Sequence, residues 1–308
     1  MSRQLVQIES LAADAPCVHT RALDTLWFQV AGTICNIQCH HCFISCAPDN
    51  DKFGFMSYED CVEHLEASQP LGVKEFYFTG GEPFANPAMC DILEHAMRLG
   101  PCTVLTNAML LRDGVLDRLG AIAKESAHKL ELRVSLDGYT AEMNDAIRGE
   151  GTFDKALEGT RRLVELGFSP IMTMTRTWCG DDDKVLAGFV ELLSAIGYAN
   201  PRLKVLPLLK IGAEASRGGA YGEDSLITHE MMQGYDESRL LCKSARLVTD
   251  RGVWVCPILL DSPAARMGDT IEETIRDYPL RHQACHTCWQ HGAICSNETT
   301  CTGGETCG

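Results

Sequence analysis

Three cysteines stand close together near the start of the chain and could hold a metal cluster. Cys35, Cys39 and Cys42 are spaced C-x-x-x-C-x-x-C, which places three soft sulfur ligands in one short loop. Three thiolates can bind three irons of a cubic 4Fe–4S cluster, and the fourth iron then lacks a protein ligand. That open iron is a position where another molecule can bind and react.

A Gly80-Gly81-Glu82-Pro83 turn follows the cysteine loop along the chain. Together the two motifs resemble the radical S-adenosylmethionine (SAM) superfamily. The resemblance implies that SAM chelates the open iron through its amino and carboxylate groups. It also implies that backbone carbonyls of Gly80 and Gly81 approach the SAM amino group, with Glu82 extending that edge. His41 occupies the slot before the third cysteine, which the resemblance assigns to a wall of the adenine site.

Structural zinc is the alternative for the first motif. Zinc commonly uses four closed ligands in two C-x-x-C pairs that lie far apart in the sequence. This loop instead offers three cysteines with His41 beside them, which favours the iron cluster. Cys46 extends the run, and we interpret it as an ordinary reduced thiol.

Further residues match superfamily positions that contact SAM. The resemblance places Ser135 and Asp137 near the methionine moiety or ribose, with a solvated strand end as the alternative. It places Arg148 near the SAM carboxylate, because a guanidinium suits a bidentate carboxylate contact; a surface arginine is the alternative. Asn107 stands in a Thr-Asn-Ala sequence where Thr-Asn-Gly is more usual. Thr173 has a similar placement on the fifth predicted strand.

A second group of cysteines lies in the tail of the chain, where seven of the sixteen are found. Their spacing resembles the auxiliary-cluster domains called twitch and SPASM. In the twitch form, four cysteines would hold one additional 4Fe–4S cluster: Cys242, Cys256, Cys285 and Cys288.

The fuller SPASM form would bind two auxiliary clusters, and this chain departs from its spacing at three places. Cys242, Cys256 and Cys301 would then serve one cluster. The other would be held by Cys285, Cys288, Cys295 and Cys307. The sequence does not decide between one and two auxiliary clusters. Structural zinc is the alternative to both, because paired C-x-x-C spacing also suits tetrahedral zinc.

The elements that must position these residues alternate between short β-branched or aromatic runs and helical patterns. This alternation is typical of βα units and a parallel sheet. Ser57 predicts a helix start with a capping box, Asn86 another that Gly100 ends, and Thr152 a third. Six strands are predicted, at Leu26–Ala31, Lys74–Thr79, Cys102–Thr106, Leu130–Leu136, Pro170–Thr175 and Leu203–Leu208.

We therefore expect an α/β fold, a partial (β/α)6 TIM-type barrel with a small C-terminal cysteine-rich auxiliary-cluster domain. A closed eightfold barrel would need roughly 250 residues, and the superfamily resemblance implies the same open barrel. The predicted divisions are a leader segment at 1–23, the barrel at 24–212, a glycine-rich linker with one helix after Thr228 at 213–239, and the auxiliary domain at 240–308.

Reactive groups of parallel barrels gather at the C-terminal ends of strands, so we expect these motifs to ring one mouth. Cys179 follows the fifth predicted strand and could donate a hydrogen atom or ligate a substrate there. The alternative for Cys179 is a packed thiol.

Composition excludes several classes of protein. The net charge is −15 and Lys and Arg form no run that could neutralise phosphates, which argues against a nucleic-acid partner. The cysteines are clustered, which favours metal ligation in a reducing cytoplasm over disulfides. Apolar runs are too short for a membrane span. We expect a soluble, cytoplasmic protein with 45% hydrophobic content to form its core.

The resemblance implies an enzyme that reductively cleaves SAM to a 5'-deoxyadenosyl radical and abstracts hydrogen from a substrate for oxidation, rearrangement or cofactor or natural-product maturation. A reducing partner such as flavodoxin or ferredoxin would supply the electron. The short segment before the first strand favours a small-molecule substrate over a peptide. The alternatives are a peptide- or protein-modifying SPASM maturase and, from another class, a non-enzymatic iron–sulfur electron carrier or zinc scaffold.

Overall fold

The computed structural model describes residues 11–292 and 294–299. Its strands are β1 (Cys17–Val18), β2 (Thr25–Gln29), β3 (Glu75–Thr79), β4 (Cys102–Thr106), β5 (Leu130–Ser135), β6 (Ile171–Thr175), β7 (Arg202–Leu206), β8 (Ala245–Thr249), β9 (Gly252–Trp254), β10 (Arg266–Gly268) and β11 (Tyr278–Pro279). Its α-helices are α1 (Tyr58–Ser68), α2 (Met89–Ala96), α3 (Asp113–Glu125), α4 (Ala141–Arg148), α5 (Thr152–Glu165), α6 (Asp182–Ala195), α7 (Gly212–Gly218) and α8 (Cys285–His291).

Strands β2 to β7 form a parallel sheet in chain order, and helices α1 to α6 lie in the connections between them. The six predicted strands and the α/β fold class are thereby confirmed. Each observed strand lies within two residues of its predicted bounds. None of the helices in the described part of the chain is long and apolar enough to cross a membrane.

The tail of the chain continues this sheet. Strand β8 pairs in parallel with β2, with Ala245 opposite Thr25, and β9 and β10 follow as antiparallel strands. A second small sheet pairs β1 with β11, with Cys17 opposite Pro279. The predicted leader and the predicted auxiliary domain are therefore joined by a strand pair, and the divisions between domains stay predictions.

The two faces of the sheet carry different side chains because successive residues of a strand point to opposite sides. Phe28 and Phe78 lie on the face covered by the helices, with ring centroids 5.5 Å apart. Trp27 and Tyr77 lie on the opposite, inner face, stacked at 4.3 Å and packed among residues of the tail. The inner face is therefore the one that meets the cysteine-rich segment.

The connections follow their predicted starts only in part. Ser57 caps α1 by accepting a hydrogen bond from the Asp60 N–H at 3.0 Å, as predicted. Within the predicted linker the structure has turns after Thr228 and a helix earlier, α7, which begins at Gly212. Gly212 has a φ of +60° and lies so close to the Phe43 carbonyl that a Cβ would be 2.3 Å from that oxygen. Helix α7 thus begins against the cysteine loop.

Candidate functional site at the cysteine loop

A cavity of about 230 Å³ lies at the C-terminal edge of the parallel strands. Its walls come from the loop after β2, the turn after β3, strands β4 to β7 toward their ends, helix α4 and parts of the tail. The residues predicted from the sequence that line it are Cys35, Cys39, His41, Cys42, Gly80, Gly81, Asn107, Ser135, Arg148, Thr173 and Cys295. The structure therefore brings most of the predicted site to one place.

Backbone hydrogen bonds hold the cysteine loop from two directions. The Glu82 N–H donates to the Ile34 carbonyl at 3.1 Å, and the Ala213 N–H donates to the Cys42 carbonyl at 2.9 Å. The β3 turn and helix α7 therefore fix the loop on which the three cysteines stand.

The three thiols differ in their electrostatic environment. Burial raises the pKa of Cys35 to about 12 and that of Cys39 to about 11. The hydrogen bond from the Cys46 thiol lowers the pKa of Cys42 to about 6, and the Cys46 N–H also donates to the Cys42 sulfur at 3.2 Å. Cys46, interpreted from its sequence position as an ordinary reduced thiol, also lines the cavity. The sequence signal for a position at the cavity is that Cys46 follows Cys42 by only four residues.

The surroundings of the sulfurs fit thiolate ligands. The Arg148 Nη1 lies 3.9 Å from the Cys39 sulfur, and the Asn107 Nδ2 lies 3.8 Å from the Cys35 sulfur. N–H donors directed at ligating sulfurs tune and orient iron–sulfur clusters. A cluster held by these three cysteines would therefore meet donors that the chain already provides.

Asp137 lies behind the cavity wall and holds two residues that line it. Its carboxylate is 2.6 Å from the His41 Nε2 and 2.6 Å from the Arg148 Nε, and it accepts a 2.6 Å hydrogen bond from the Thr175 N–H. Burial acts to raise the pKa of Asp137, but Arg148 and His41 together hold it below its ordinary value. The carboxylate thus remains charged and fixes both side chains, and it does not face the cavity itself.

Glu82 is likewise buried behind the wall. Its carboxylate accepts hydrogen bonds from the Thr106 hydroxyl and the Asn107 N–H, both at 2.7 Å, and from the Phe84 N–H at 3.2 Å. Burial raises the pKa of Glu82 to about 7 against these bonds. Its carboxylate therefore ties the β3 turn to the end of β4, where the sequence predicted an extension of the SAM-binding edge.

Backbone packing requires a glycine at position 81, which the sequence did not reveal. A Cβ at Gly81 would lie 2.0 Å from the Ile34 carbonyl oxygen and 2.7 Å from the Cys35 nitrogen. The glycine turn therefore packs directly against the backbone of the cysteine loop. This close approach requires glycine whether or not SAM is bound.

Cys179 does not join the cavity residues, in contrast to the expectation. Its side chain is exposed in the loop after β6. Asp182 fixes that loop, because its carboxylate accepts a hydrogen bond from the Trp178 indole at 2.8 Å and pairs with Arg176 at 3.0 Å. Thr173 does line the cavity, and its buried hydroxyl has no hydrogen-bond partner among the described residues.

The chain matches the model of a known protein family. A model of the radical SAM superfamily matches residues 30–193, more than half of the chain. The chain belongs to the radical SAM superfamily. A 4Fe–4S cluster and SAM are characteristic of this superfamily, and the matched segment contains the cysteine loop, the glycine turn and Arg148.

Three known proteins illustrate the similarity. GTP 3',8-cyclase of Petrotoga mobilis is 26% identical over 178 residues, which cover 56% of this chain and 53% of the cyclase. Mycofactocin maturase MftC of Mycobacterium tuberculosis is 32% identical over 140 residues, covering 44% of this chain and 34% of the maturase. The crystal structure of Streptococcus suis SuiB bound to precursor peptide SuiA has a similar fold, with a TM-score of 0.63 at 14% identity over 83% of this chain and 64% of SuiB.

These similarities cover only part of each protein. The radical SAM chain spans about half of the length of the cyclase and a third of the maturase. The similarity in fold to SuiB supports the partial barrel, but it does not indicate which substrate this chain binds.

Four tail cysteines form a second group beside the main cavity, and Ile258 lines both cavities. A small cavity of about 20 Å³ is lined by all four residues of the twitch pattern, Cys242, Cys256, Cys285 and Cys288. Within the described ranges, no three His, Cys, Asp or Glu side chains are arranged to hold a single metal ion. Cys295 lies in the wall of the main cavity instead. The predicted ligands Cys301 and Cys307 lie outside the described residues.

Proposed function

We propose that this radical SAM protein is an enzyme that binds a 4Fe–4S cluster through Cys35, Cys39 and Cys42 and abstracts hydrogen from a small-molecule or peptide substrate. The observation that supports it is the convergence of the three cysteines, the Gly80–Gly81 turn and Arg148 on one cavity. The bound cluster and SAM would supply the chemistry, a one-electron reductive cleavage of SAM that yields a 5'-deoxyadenosyl radical.

The residues of the chain orient SAM and shield the reaction. Arg148, fixed by Asp137, presents its guanidinium at the cavity wall, where it suits the SAM carboxylate. His41, held by the same carboxylate, forms the wall for the adenine. Apolar side chains complete the lining and exclude water from reactive species; they include Trp27, Phe43, Ile44, Leu105 and Leu206.

An external reductant is part of the proposal, because reductive cleavage of SAM consumes one electron. A flavodoxin or ferredoxin is the class of partner that supplies it. For the substrate, the relatives include both a cyclase named for GTP and maturases, so small molecules and peptides both belong to the proposal.

We further infer that the tail binds one auxiliary 4Fe–4S cluster. Cys242, Cys256, Cys285 and Cys288 line one cavity, and burial raises the pKa of Cys242 to about 11 and that of Cys256 to about 12. Burial of this kind keeps the free thiols protonated, so they become thiolate ligands only when a cation offsets the charge, and a soft metal supplies that cation. An auxiliary cluster here would lie close to the cavity wall that Cys295 forms.

The test is anaerobic reconstitution with iron and sulfide, followed by reduction with dithionite in the presence of SAM. We expect 5'-deoxyadenosine by liquid chromatography from the wild type and none from Cys39→Ala. Cys179→Ala is the matched control, because it removes an exposed cysteine outside the cavity, and it should retain cleavage. Absence of 5'-deoxyadenosine from a wild type that holds its cluster would instead support the electron carrier, and stoichiometric zinc would support the scaffold.

A further inference from the structure

The inner face of the barrel carries two buried cations. Arg133 on β5 and Lys204 on β7 are 2% and 6% exposed. Neither forms an ion pair with a carboxylate among residues 11–292 and 294–299. Burying a charge without an opposite charge is costly, because the low-dielectric interior does not replace its hydration. In a chain with a net charge of −15, two such cations side by side demand an explanation.

Their hydrogen-bond partners are neutral carbonyls of the tail. The Arg133 Nη1 donates to the Cys295 carbonyl at 2.9 Å and to the Ser296 carbonyl at 3.4 Å. The Lys204 Nζ donates to the Glu298 carbonyl at 2.8 Å. These bonds seat the 294–299 segment against the inner face of the barrel. They satisfy donors, but neither cation forms an ion pair with a carboxylate among the described residues.

Donor groups without partners line the main cavity next to Arg133. The Arg133 Nε, the Thr173 hydroxyl and the Trp27 indole nitrogen are buried, and none of them has a hydrogen-bond partner in the described part of the chain. All three residues belong to the wall of the main cavity. Each of these groups can donate a hydrogen bond, and the guanidinium and indole can only donate. The missing partner is therefore rich in acceptor oxygens and negatively charged.

We propose that this inner wall is a substrate subsite for an oxyanion, a carboxylate or phosphate group, that is bound chiefly by Arg133. The subsite rests on the proposed function, because it takes the main cavity to hold the substrate beside SAM. One guanidinium edge remains for the ligand once Nη1 has bonded to the tail, and a planar edge suits two oxygens of one group. Lys204, which lies outside the cavity lining, adds positive charge near Arg133, and Thr173 adds a hydroxyl donor.

A rival explanation is that the cations balance the charge of an auxiliary cluster near Cys295. This explanation predicts that loss of Arg133 changes the iron content or the cluster spectrum and leaves anion binding unaltered. The subsite predicts the reverse. The two explanations therefore separate by experiment.

The experiment measures binding of two probe anions, malonate and inorganic phosphate, to the reconstituted protein saturated with SAM. Isothermal titration at tens of millimolar anion gives the affinity, with 1,3-diaminopropane as a cationic control of similar size. Arg133→Gln should weaken binding about ten- to a hundredfold, the range for a lost charge-assisted bond. Arg118→Gln is the matched control, because Arg118 lies on α3 in exposed pairs with Asp91 and Glu94 and should bind as the wild type does.

A second variant keeps the test informative if loss of Arg133 unseats the tail. Thr173→Val removes only the hydroxyl donor and should weaken binding severalfold with unchanged iron content. Preferential binding of malonate assigns a carboxylate and preferential binding of phosphate assigns a phosphate group, and either supports the subsite. Equal affinity in all variants, no anion binding to the wild type, or a change in iron content alone would overturn it.

The proposed function is tested separately in the same samples through 5'-deoxyadenosine formation. If the wild type cleaves SAM but Arg133→Gln binds anions normally, the subsite fails and the proposed function stands. If the wild type binds anions through Arg133 but does not cleave SAM, the proposed function fails while the anion site stands.

Discussion

The carboxylate of Asp137 lies 2.6 Å from the Nε of Arg148, and both side chains are almost completely buried. Asp137 follows β5 in the chain and Arg148 ends α4, so the ion pair joins a strand end to a helix end at the cavity. The pair turns the guanidinium toward the cavity wall while the carboxylate stays behind it. Arg148 is therefore oriented before any ligand arrives.

Asp137→Asn should weaken SAM binding without removing the first cluster. The substitution keeps the shape of the side chain but removes the charge that fixes Arg148 and His41. We expect about ten- to a hundredfold weaker SAM affinity, corresponding to the loss of one charge-assisted bond of about 1.5–3 kcal/mol. Equilibrium binding of labelled SAM to the reconstituted variant measures this change.

Asp182→Asn is the control for the Asp137 variant. Asp182 also pairs with an arginine, Arg176, but that pair joins the first residue of α6 to the loop before it and is exposed. Surface ion pairs contribute little, so this variant should bind SAM normally. Equal SAM affinity in Asp137→Asn and the wild type would contradict the role assigned to the buried pair.

Gly81→Ala should reduce cluster assembly as well as SAM binding. The added Cβ would overlap the Ile34 carbonyl and approach the Cys35 nitrogen, so the cysteine loop must shift. Iron and sulfide analysis after reconstitution should show a loss of about four irons per chain relative to the wild type. Gly120→Ala on α3 meets no atom within 4 Å and should keep full iron content. Normal iron content with weak SAM binding in Gly81→Ala would instead indicate that Gly81 serves only the SAM-binding edge.

The strands of the barrel could be predicted because each is a short β-branched or aromatic run between helical patterns. The predicted Leu130–Leu136 run became β5 at Leu130–Ser135, for example. The sequence pattern does not predict strand β8, because Ala245–Thr249 pairs with a strand more than two hundred residues earlier. Local pattern does not contain such a pairing.

The site could be predicted where a motif names the residue and not where packing decides its role. The loop cysteines and Arg148 were found from spacing and type, and they reach the cavity. Glu82 could also be predicted as a site residue. Its burial and its hydrogen bond with Thr106 could not, because they depend on packing between residues distant in the sequence. Arg133 carried no motif, because its significance depends on a contact with Cys295, 162 positions away.

Iron content separates the forms of the tail. About four irons per chain would mean the first cluster alone, about eight a twitch form and about twelve a SPASM form. We expect at least eight, and Cys256→Ala should lose about four while SAM binding persists, because Cys256 lines the second cavity. Cys17→Ala removes an exposed cysteine and should keep the full count. Four irons with stoichiometric zinc in anaerobically purified protein would contradict the auxiliary cluster.

Stability should depend on pH through Lys204. Burial, assisted by the charge of Arg133, lowers the pKa of Lys204 to about 8 from 10.5 in the unfolded chain. Between those values the unfolded chain binds the proton that the folded protein lacks, so the free energy of unfolding rises with pH; below about 8 the penalty for the buried charge is complete. Lys204→Met should lack this rise.

Urea unfolding of the reconstituted protein under anaerobic conditions, followed by circular dichroism across that pH window, measures the effect of Lys204. Lys155→Met, at an exposed position of α5, controls for the loss of one charge. The difference in unfolding free energy between the wild type and Lys204→Met should change steadily in favour of the wild type as pH rises, since only the wild type sheds the cost of a buried ammonium. Parallel pH profiles for the two proteins would show that Lys204 does not carry an uncompensated charge in the folded state, and the positive character assigned to the inner wall would then rest on Arg133 alone.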